Sequence, residues 1–169
     1  MKKFKTVSLN RTHNRKRFDC GQDDLNNYLQ RTARQHQEKG ISKTWVVTKK
    51  DEPEIIIAYY TLSLSEIKLT DLNPNDAKHL PKAKLPVARL ARLAVDKNNQ
   101  GLSIGKQLVA DAVLRTRNIL NDFAIVAMVV DAKDEYASNY YQKFGFIPLD
   151  VNPLKLYLPV KTLLKIPFE

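Results

Sequence analysis

Three observations predict an α/β fold with a central sheet of mixed strand direction. Strand-like and helix-like segments alternate along the chain as β-α-β-β-β-α-β-α-β-β. A strand-like segment, Val87 to Val95, passes through a glycine-containing loop into a long amphipathic stretch. A continuous apolar run, Phe123 to Val130, suits a central strand buried on both faces. The 169 residues suit one domain with its own core.

The elements are predicted in order as follows. The first 17 residues form a strand or arm. A helix follows from about Gln22 to Lys39, because Leu25, Tyr28, Leu29 and Thr32 recur at helical spacing. Asp23 and Asp24 occupy its first turn, where the helix dipole favours them, and Gly40 stands where a C-cap glycine belongs. Thr44 to Thr48 and Ile55 to Ile67 read as strands joined by a Lys49-to-Pro53 hairpin turn. In the second strand Leu62, Leu64 and Glu66 alternate with Ser63 and Ser65. Leu69 to Pro86, rich in proline and lysine, reads as a long basic loop with room for one short helix. The helix after Gly101 runs to about Leu120 and buries Leu108, Val109, Ala112, Val113 and Thr116. Asp134 to Phe144 is a short helix, and Leu154 to Leu158 and Thr162 to Ile166 are the last strands.

Composition narrows the function. Apolar residues are 43% and charged residues 27%, as in ordinary globular proteins. No apolar run approaches the roughly 20 residues of a membrane span, and no apolar stretch follows the basic N-terminus as in a secretory signal. The single cysteine, Cys20, permits no internal disulfide and fits a cytoplasmic protein. Against 18 acidic residues stand 28 lysines and arginines, a formal charge of +10. Such an excess suggests a polyanionic partner, most simply nucleic acid, with solubility as the plainer reading. Its distribution favours the former. Lys2, Lys3, Lys5, Arg11, Arg15, Lys16 and Arg17 all precede the first acidic residue, Asp19. Arg31, Arg34 and Lys39 follow on the predicted helix, and Lys78, Lys82, Lys84, Arg89 and Arg92 cluster mid-chain. His13, His36 and His79 share no ligand spacing with Cys20, so no metal is expected. Cys20 reads as a small residue beside a helix start, and Asp131 and Asp134 as caps rather than an acid/base pair.

Two motifs carry chemistry. The strand–loop–helix at 87 to 120 offers backbone N–H groups and a helix N-terminus to a phosphate. Its sequence Gln100-Gly101-Leu102-Ser103-Ile104-Gly105 resembles the pyrophosphate loop of GNAT N-acetyltransferases, Gln/Arg-x-x-Gly-x-Gly/Ala. Ser103 stands where that family usually has glycine, and it serves only if the backbone there suits a non-glycine residue. Tyr140-Tyr141-Gln142-Lys143-Phe144-Gly145-Phe146 resembles the GNAT segment in which a tyrosine precedes a Phe-Gly-Phe turn. Phe18-Asp19-Cys20-Gly21, Ser42-Lys43-Thr44-Trp45, Ala58-Tyr59-Tyr60-Thr61-Leu62, Arg92-Leu93-Ala94-Val95-Asp96 and Pro153-Leu154-Lys155-Leu156 extend the likeness to the GNAT toxins of toxin–antitoxin pairs.

The resemblance implies a GNAT fold with a mixed, mostly antiparallel central sheet flanked by helices. It implies acetyl-coenzyme A as co-substrate, bound by Gln100, Gly101, Ser103, Ile104, Gly105 and Lys106 and by the edge of the strand at Leu93 and Val95. By family spacing Tyr141 donates the proton to the departing thiolate. The relatives acetylate the α-amino group of aminoacyl-tRNA, block translation and are restrained by a ribbon-helix-helix antitoxin; a homodimer is left open. Arg31, Arg34, Arg89 and Arg92 are the candidate tRNA contacts, although Arg89 and Arg92 read equally as structural ion pairs. The residues themselves add one argument. Val87 to Val95 contains no acid to serve as general base. A lysine, with pKa about 10.4, needs such a base, whereas an α-amino group near 8 does not. The alternatives are a GNAT enzyme for a small amine or protein N-terminus, and a weakly catalytic GNAT-fold binding module.

Overall fold

The computed structural model describes residues 4–167. In chain order it contains β1 (Thr6–Ser8), α1 (Asp23–Asn27), a π-helical turn (Tyr28–Thr32), α2 (Ala33–Glu38), β2 (Lys43–Thr48) and β3 (Ile56–Lys68). After a 3₁₀ turn (Leu69–Asp71) come α3 (Pro74–Ala77), β4 (Lys84–Val95), a second 3₁₀ turn (Lys97–Asn99) and α4 (Ile104–Ile119). The chain continues with β5 (Ala127–Asp131), α5 (Glu135–Gln142), β6 (Ile147–Pro148), β7 (Lys155–Pro159) and α6 (Val160–Leu163). Seven strands form one sheet in the order β1-β2-β3-β4-β5-β7-β6. Only the β4–β5 pair is described as parallel, so the sheet is mixed and mostly antiparallel, as expected.

The chain divides into two compact units, Met1–Ser63 with Ala91–Ala112 and Leu64–Leu90 with Val113–Glu169. In the first, β1 pairs antiparallel with β2, and β2 with β3 from Lys43↔Leu62 to Thr48↔Ile56. Leu9, Phe18, Tyr28, Leu29, Ala33, Val46, Ile56, Tyr59 and Ala94 form its core. The predicted N-terminal helix is present, but a π turn interrupts it. The Ala33 amide reaches back five residues to the Tyr28 carbonyl. The extra residue rotates the following turn, so Ala33 is buried where Thr32 was expected.

In the second unit, β4 pairs parallel with β5 from Val87↔Ala127 to Leu90↔Val130, and β5 pairs antiparallel with β7. Ile67, Leu72, Leu85, Val87, Ala127, Val129, Leu149 and Tyr157 form this core. Two expectations are corrected here. The apolar run beginning at Phe123 enters the sheet only at Ala127, because the Phe123 amide donates to Ile119 at the end of α4 and leaves its ring 68% exposed. Thr162 to Ile166 is not a strand: the amides of Leu164, Lys165 and Ile166 return to carbonyls three or four residues back, closing α6 and the turn after it. From Ser63 to Glu66 half-buried serines alternate with exposed Leu64 and Glu66, and Leu64 is 66% exposed. The basic segment 69–86 holds the short helix α3, and its last residues already belong to β4. The expected stripe of α4, Leu108, Val109, Ala112, Val113 and Thr116, is buried throughout.

Candidate active site

The strand–loop–helix expected to hold a phosphate lies in the first unit. Asp96 directly follows β4, and its carboxylate accepts from the Asn98 amide at 3.0 Å, capping the 3₁₀ turn. The chain then bends at Gly101 (φ 80°) and Ser103 (φ 60°) before α4 begins. Serine at this angle sits in the small left-handed region open to L-residues, so the departure from the family glycine is accommodated at a backbone cost. Among the described residues the amides of Leu102, Ser103, Ile104, Gly105 and Lys106 donate to no backbone carbonyl. The last three are those any helix start leaves free; the first two are added by the bends. Five open amides at the positive end of a 16-residue helix fit an anion such as a diphosphate. The Gln100 side chain is spent locally, donating to the carbonyls of Val95 at 3.0 Å and Cys20 at 3.2 Å. The Val95 carbonyl thus already carries one bond, and Leu93 is half-buried two residues before it on β4.

The expected proton donor lies in the second unit. The Asp134 carboxylate caps α5 by accepting from the Ala137 amide at 2.8 Å, as the sequence suggested. Tyr141 occupies the last turn of α5, its ring edge-on to Phe146 at 5.9 Å and to Tyr140 at 5.6 Å. Among the described residues no hydrogen bond reaches its hydroxyl. Burial pushes the Tyr141 phenol up to about 12, with Tyr140 beside it adding to the shift. Tyr141 therefore keeps its proton at any physiological pH. Tyr140 shifts in the same direction, also through burial, and its ring packs on Phe144 instead.

The four candidate arginines meet different fates. Arg89 forms an ion pair with Asp131, so Asp131 is this arginine's partner rather than a cap. The Arg89 Nε–H is buried without a hydrogen-bond partner among the described residues. Arg92 forms no ion pair among the described residues; its guanidinium stacks 3.8 Å from the centroid of the Tyr28 ring, a cation–π contact. Tyr28 is held in turn by its hydroxyl against Ser42 at 2.9 Å and by the edge of His36. Arg34 pairs with Glu38 at 2.6 Å, whereas Arg31 is exposed and free of ion pairs among the described residues. The helical spacing of Tyr28 predicts burial, and nothing in the periodicity signals its contact with Arg92. The first unit thus gathers Leu93, Val95, the loop, Arg31, Arg34 and Arg92, and the second holds Tyr141 and Arg89. Cys20 is buried and its thiol pushed up by desolvation, as expected of a packing residue. The described residues hold no cluster of metal-ligating side chains.

The pattern of the acetyltransferase (GNAT) domain matches residues 40–148, more than half of the chain. The chain belongs to the GNAT acetyltransferase family. Two toxins are similar over most of this GNAT chain. The probable toxin TacT of Sinorhizobium fredii is 25% identical over 89% of it and 87% of the relative. The tRNA-acetylating toxin of Mycobacterium tuberculosis is 28% identical over 85% of it and 84% of the relative. Solved structures agree. A tyrosine-to-phenylalanine mutant of KacT superposes with a TM-score of 0.90 at 27% identity, covering 97% of this chain and 99% of that one. AtaT complexed with acetyl-methionyl-tRNAfMet gives 0.86 at 30% identity, covering 95% and 96%. A mutant AtaT toxin bound to acetyl-coenzyme A and the C-terminus of its antitoxin AtaR gives 0.78 at 28% identity, covering 96% of both chains. No described helix of this GNAT protein is long and apolar enough to cross a membrane.

Proposed function

We propose that this GNAT enzyme transfers acetyl from acetyl-coenzyme A to the α-amino group of an aminoacyl-tRNA, acting as the toxin of a toxin–antitoxin pair. The observation that carries the coenzyme half is the run of open amides from Leu102 to Lys106 at the start of α4. Those amides would hold the diphosphate, and the backbone of β4 near Leu93 and Val95 would line the pantetheine. The tRNA half is supported by the charge of +10 and by similarity to tRNA-acetylating toxins over most of the chain. Arg31 and Arg92 are the phosphate or nucleoside contacts of this reading. Arg34 and Arg89, already paired with Glu38 and Asp131, are secondary ones. A ribbon-helix-helix antitoxin is the partner it implies.

The chemistry follows from proton affinities. The free amine attacks the thioester carbon, a C–N bond forms, and the C–S bond breaks. The α-amine, near 8, is already substantially neutral at physiological pH and attacks without a base; as the C–N bond forms the nitrogen becomes acidic, and the proton it sheds balances the one the departing thiolate takes up. A phenol near 12 does not ionise on its own in this range. In this reading Tyr141, assigned by its spacing to the Phe-Gly-Phe turn, would act as a relay, giving its proton to the sulfur while the proton shed by nitrogen restores the phenol. No carboxylate base is required, in keeping with the absence of acid from Val87 to Val95.

The deciding experiment is incubation with acetyl-coenzyme A and charged total tRNA, followed by mass analysis of the aminoacyl groups. Acetylated aminoacyl adenosine is expected. Acetylation confined to free amines or protein N-termini, with none on tRNA, would overturn the substrate assignment.

A further inference from the structure

The coenzyme loop is tied to a distant piece of the same unit by contacts that the proposed chemistry does not use. Gln100 Nε2 donates to Val95 at 3.0 Å and to Cys20 at 3.2 Å, stitching the loop to the end of β4 and to the segment Phe18–Gly21. That segment also bonds the residues that lead into the loop. The Lys97 amide donates to the Asp19 carbonyl at 2.8 Å, and Lys97 Nζ donates to the Asp19 carboxylate at 2.6 Å. The Asp19 amide donates to the Asp96 carboxylate at 3.2 Å, and the Asp96 amide to the Ile57 carbonyl on β3 at 2.9 Å. Phe18-Asp19-Cys20-Gly21 has further contacts of its own. Phe18 is buried edge-on against Tyr59 at 5.4 Å, the Asp19 carboxylate accepts from the Gly21 amide and the Asn26 side chain at 2.9 Å each, and the Cys20 amide donates to Asn26 Oδ1.

We infer that Gln100 and Asp19 are positioning residues, a two-sided clasp that holds the Leu102–Lys106 amides in their anion-binding arrangement before coenzyme arrives. The inference rests on the proposed coenzyme site. Its physical basis is preorganisation: a loop ordered in advance does not pay backbone entropy on binding, so losing the clasp weakens binding without touching the reacting atoms. In this assignment the side chain of Gln100 serves the loop and not the ligand.

The test replaces Gln100→Met, which keeps length and removes both donors without adding charge. A milder companion, Asp19→Asn, removes the charge that pairs with Lys97 and keeps the shape. Acetyl-coenzyme A affinity is measured by calorimetry, and ¹⁵N order parameters of the loop amides are measured in unliganded protein. About tenfold weaker coenzyme binding is expected for Gln100→Met, with a smaller effect for Asp19→Asn. KM for acetyl-coenzyme A should rise by the same factor while kcat stays within about twofold. Order parameters at Leu102 to Lys106 should fall from about 0.85 toward 0.6, with those of β2 and β3 unchanged. Wild-type affinity and wild-type loop order in Gln100→Met would overturn the clasp, and so would a loss of order spread over the whole unit. Failure of the wild-type protein to bind acetyl-coenzyme A would instead remove the coenzyme reading, and the loop order parameters would still decide whether the clasp exists.

Discussion

At Ser103 a non-glycine residue stands at φ 60°, next to a run of open amides. Left-handed backbone costs an L-residue about 1–2 kcal/mol, and the extra freedom of glycine in the unfolded chain costs about 0.5–1 kcal/mol. The two nearly cancel, with a small balance in favour of glycine. Ser103→Gly should therefore raise the melting temperature slightly or leave it unchanged, and should bind acetyl-coenzyme A at least as tightly. Weaker binding by calorimetry would mean that the hydroxyl itself contacts the ligand. Tyr141 offers the sharper test. Tyr141→Phe keeps the ring against Phe146 and removes only the donor, so kcat should fall about 10²–10⁴-fold. Tyr140→Phe should cost far less, because its ring packs on Phe144 and adjacent helical residues point about 100° apart. The pH profile has a defined sign. Burial raises the phenol to about 12, so no falling limb should arise from it below pH 10. Single-turnover rates should rise from pH 6 to about 8 as the α-amine loses its proton and then stay level. A decline centred below pH 9 would contradict the buried phenol.

At the scale of the element, α5 carries Tyr141 on only eight residues, too few to persist in water alone. Its cap is the Asp134 carboxylate on the Ala137 amide. Asp134→Ala should lower unfolding free energy by about 1 kcal/mol in urea titration, and should reduce kcat much less than Tyr141→Phe does. This cap was legible in sequence because a cap is a local device, one acid beside a helical pattern. So were the stripe of α4 and the alternation of strands with helices, since each is written in side-chain periodicity. What periodicity cannot report is where backbone amides go. Phe123 continues an apolar run yet spends its amide on the end of α4, and Thr162 to Ile166 turns helical through bonds to its own carbonyls. The π turn at Tyr28–Thr32 shifts burial from Thr32 to Ala33 for the same reason. The candidate site divides along this line too. Gln100 to Gly105 was recognisable as a motif, but the contacts of Gln100 with Cys20, Asp19 with Lys97 and Arg89 with Asp131 span long stretches of sequence, and no local pattern encodes them.

The whole molecule is defined by its charge of +10. Ion pairs hold part of the basic set: Arg34 with Glu38, Lys49 with Glu52, Arg89 with Asp131, Lys97 with Asp19 and Lys161 with Asp76. Lys2 and Lys3, which head the basic N-terminal segment, lie outside the described residues. Lys5, Arg11, Lys16, Arg17 and Arg31 are exposed and make no ion pair among the described residues. Charges left in water without a partner cost the fold little and gain most from a polyanion, whose condensed counterions are released on contact. If all five of these cations meet phosphates, affinity for charged tRNA should fall roughly 500-fold between 50 and 200 mM salt. The slope of log affinity against log salt measures the number of contacts, and it separates nucleic-acid binding from a charge kept only for solubility. Arg31→Gln should lower that slope by about one unit, since it removes a single exposed cation. Glu38→Gln should leave the slope unchanged or steepen it, because it releases Arg34 from its partner. An affinity that stays level across this salt range would assign the positive charge to solubility and leave the tRNA contact to be made by other means.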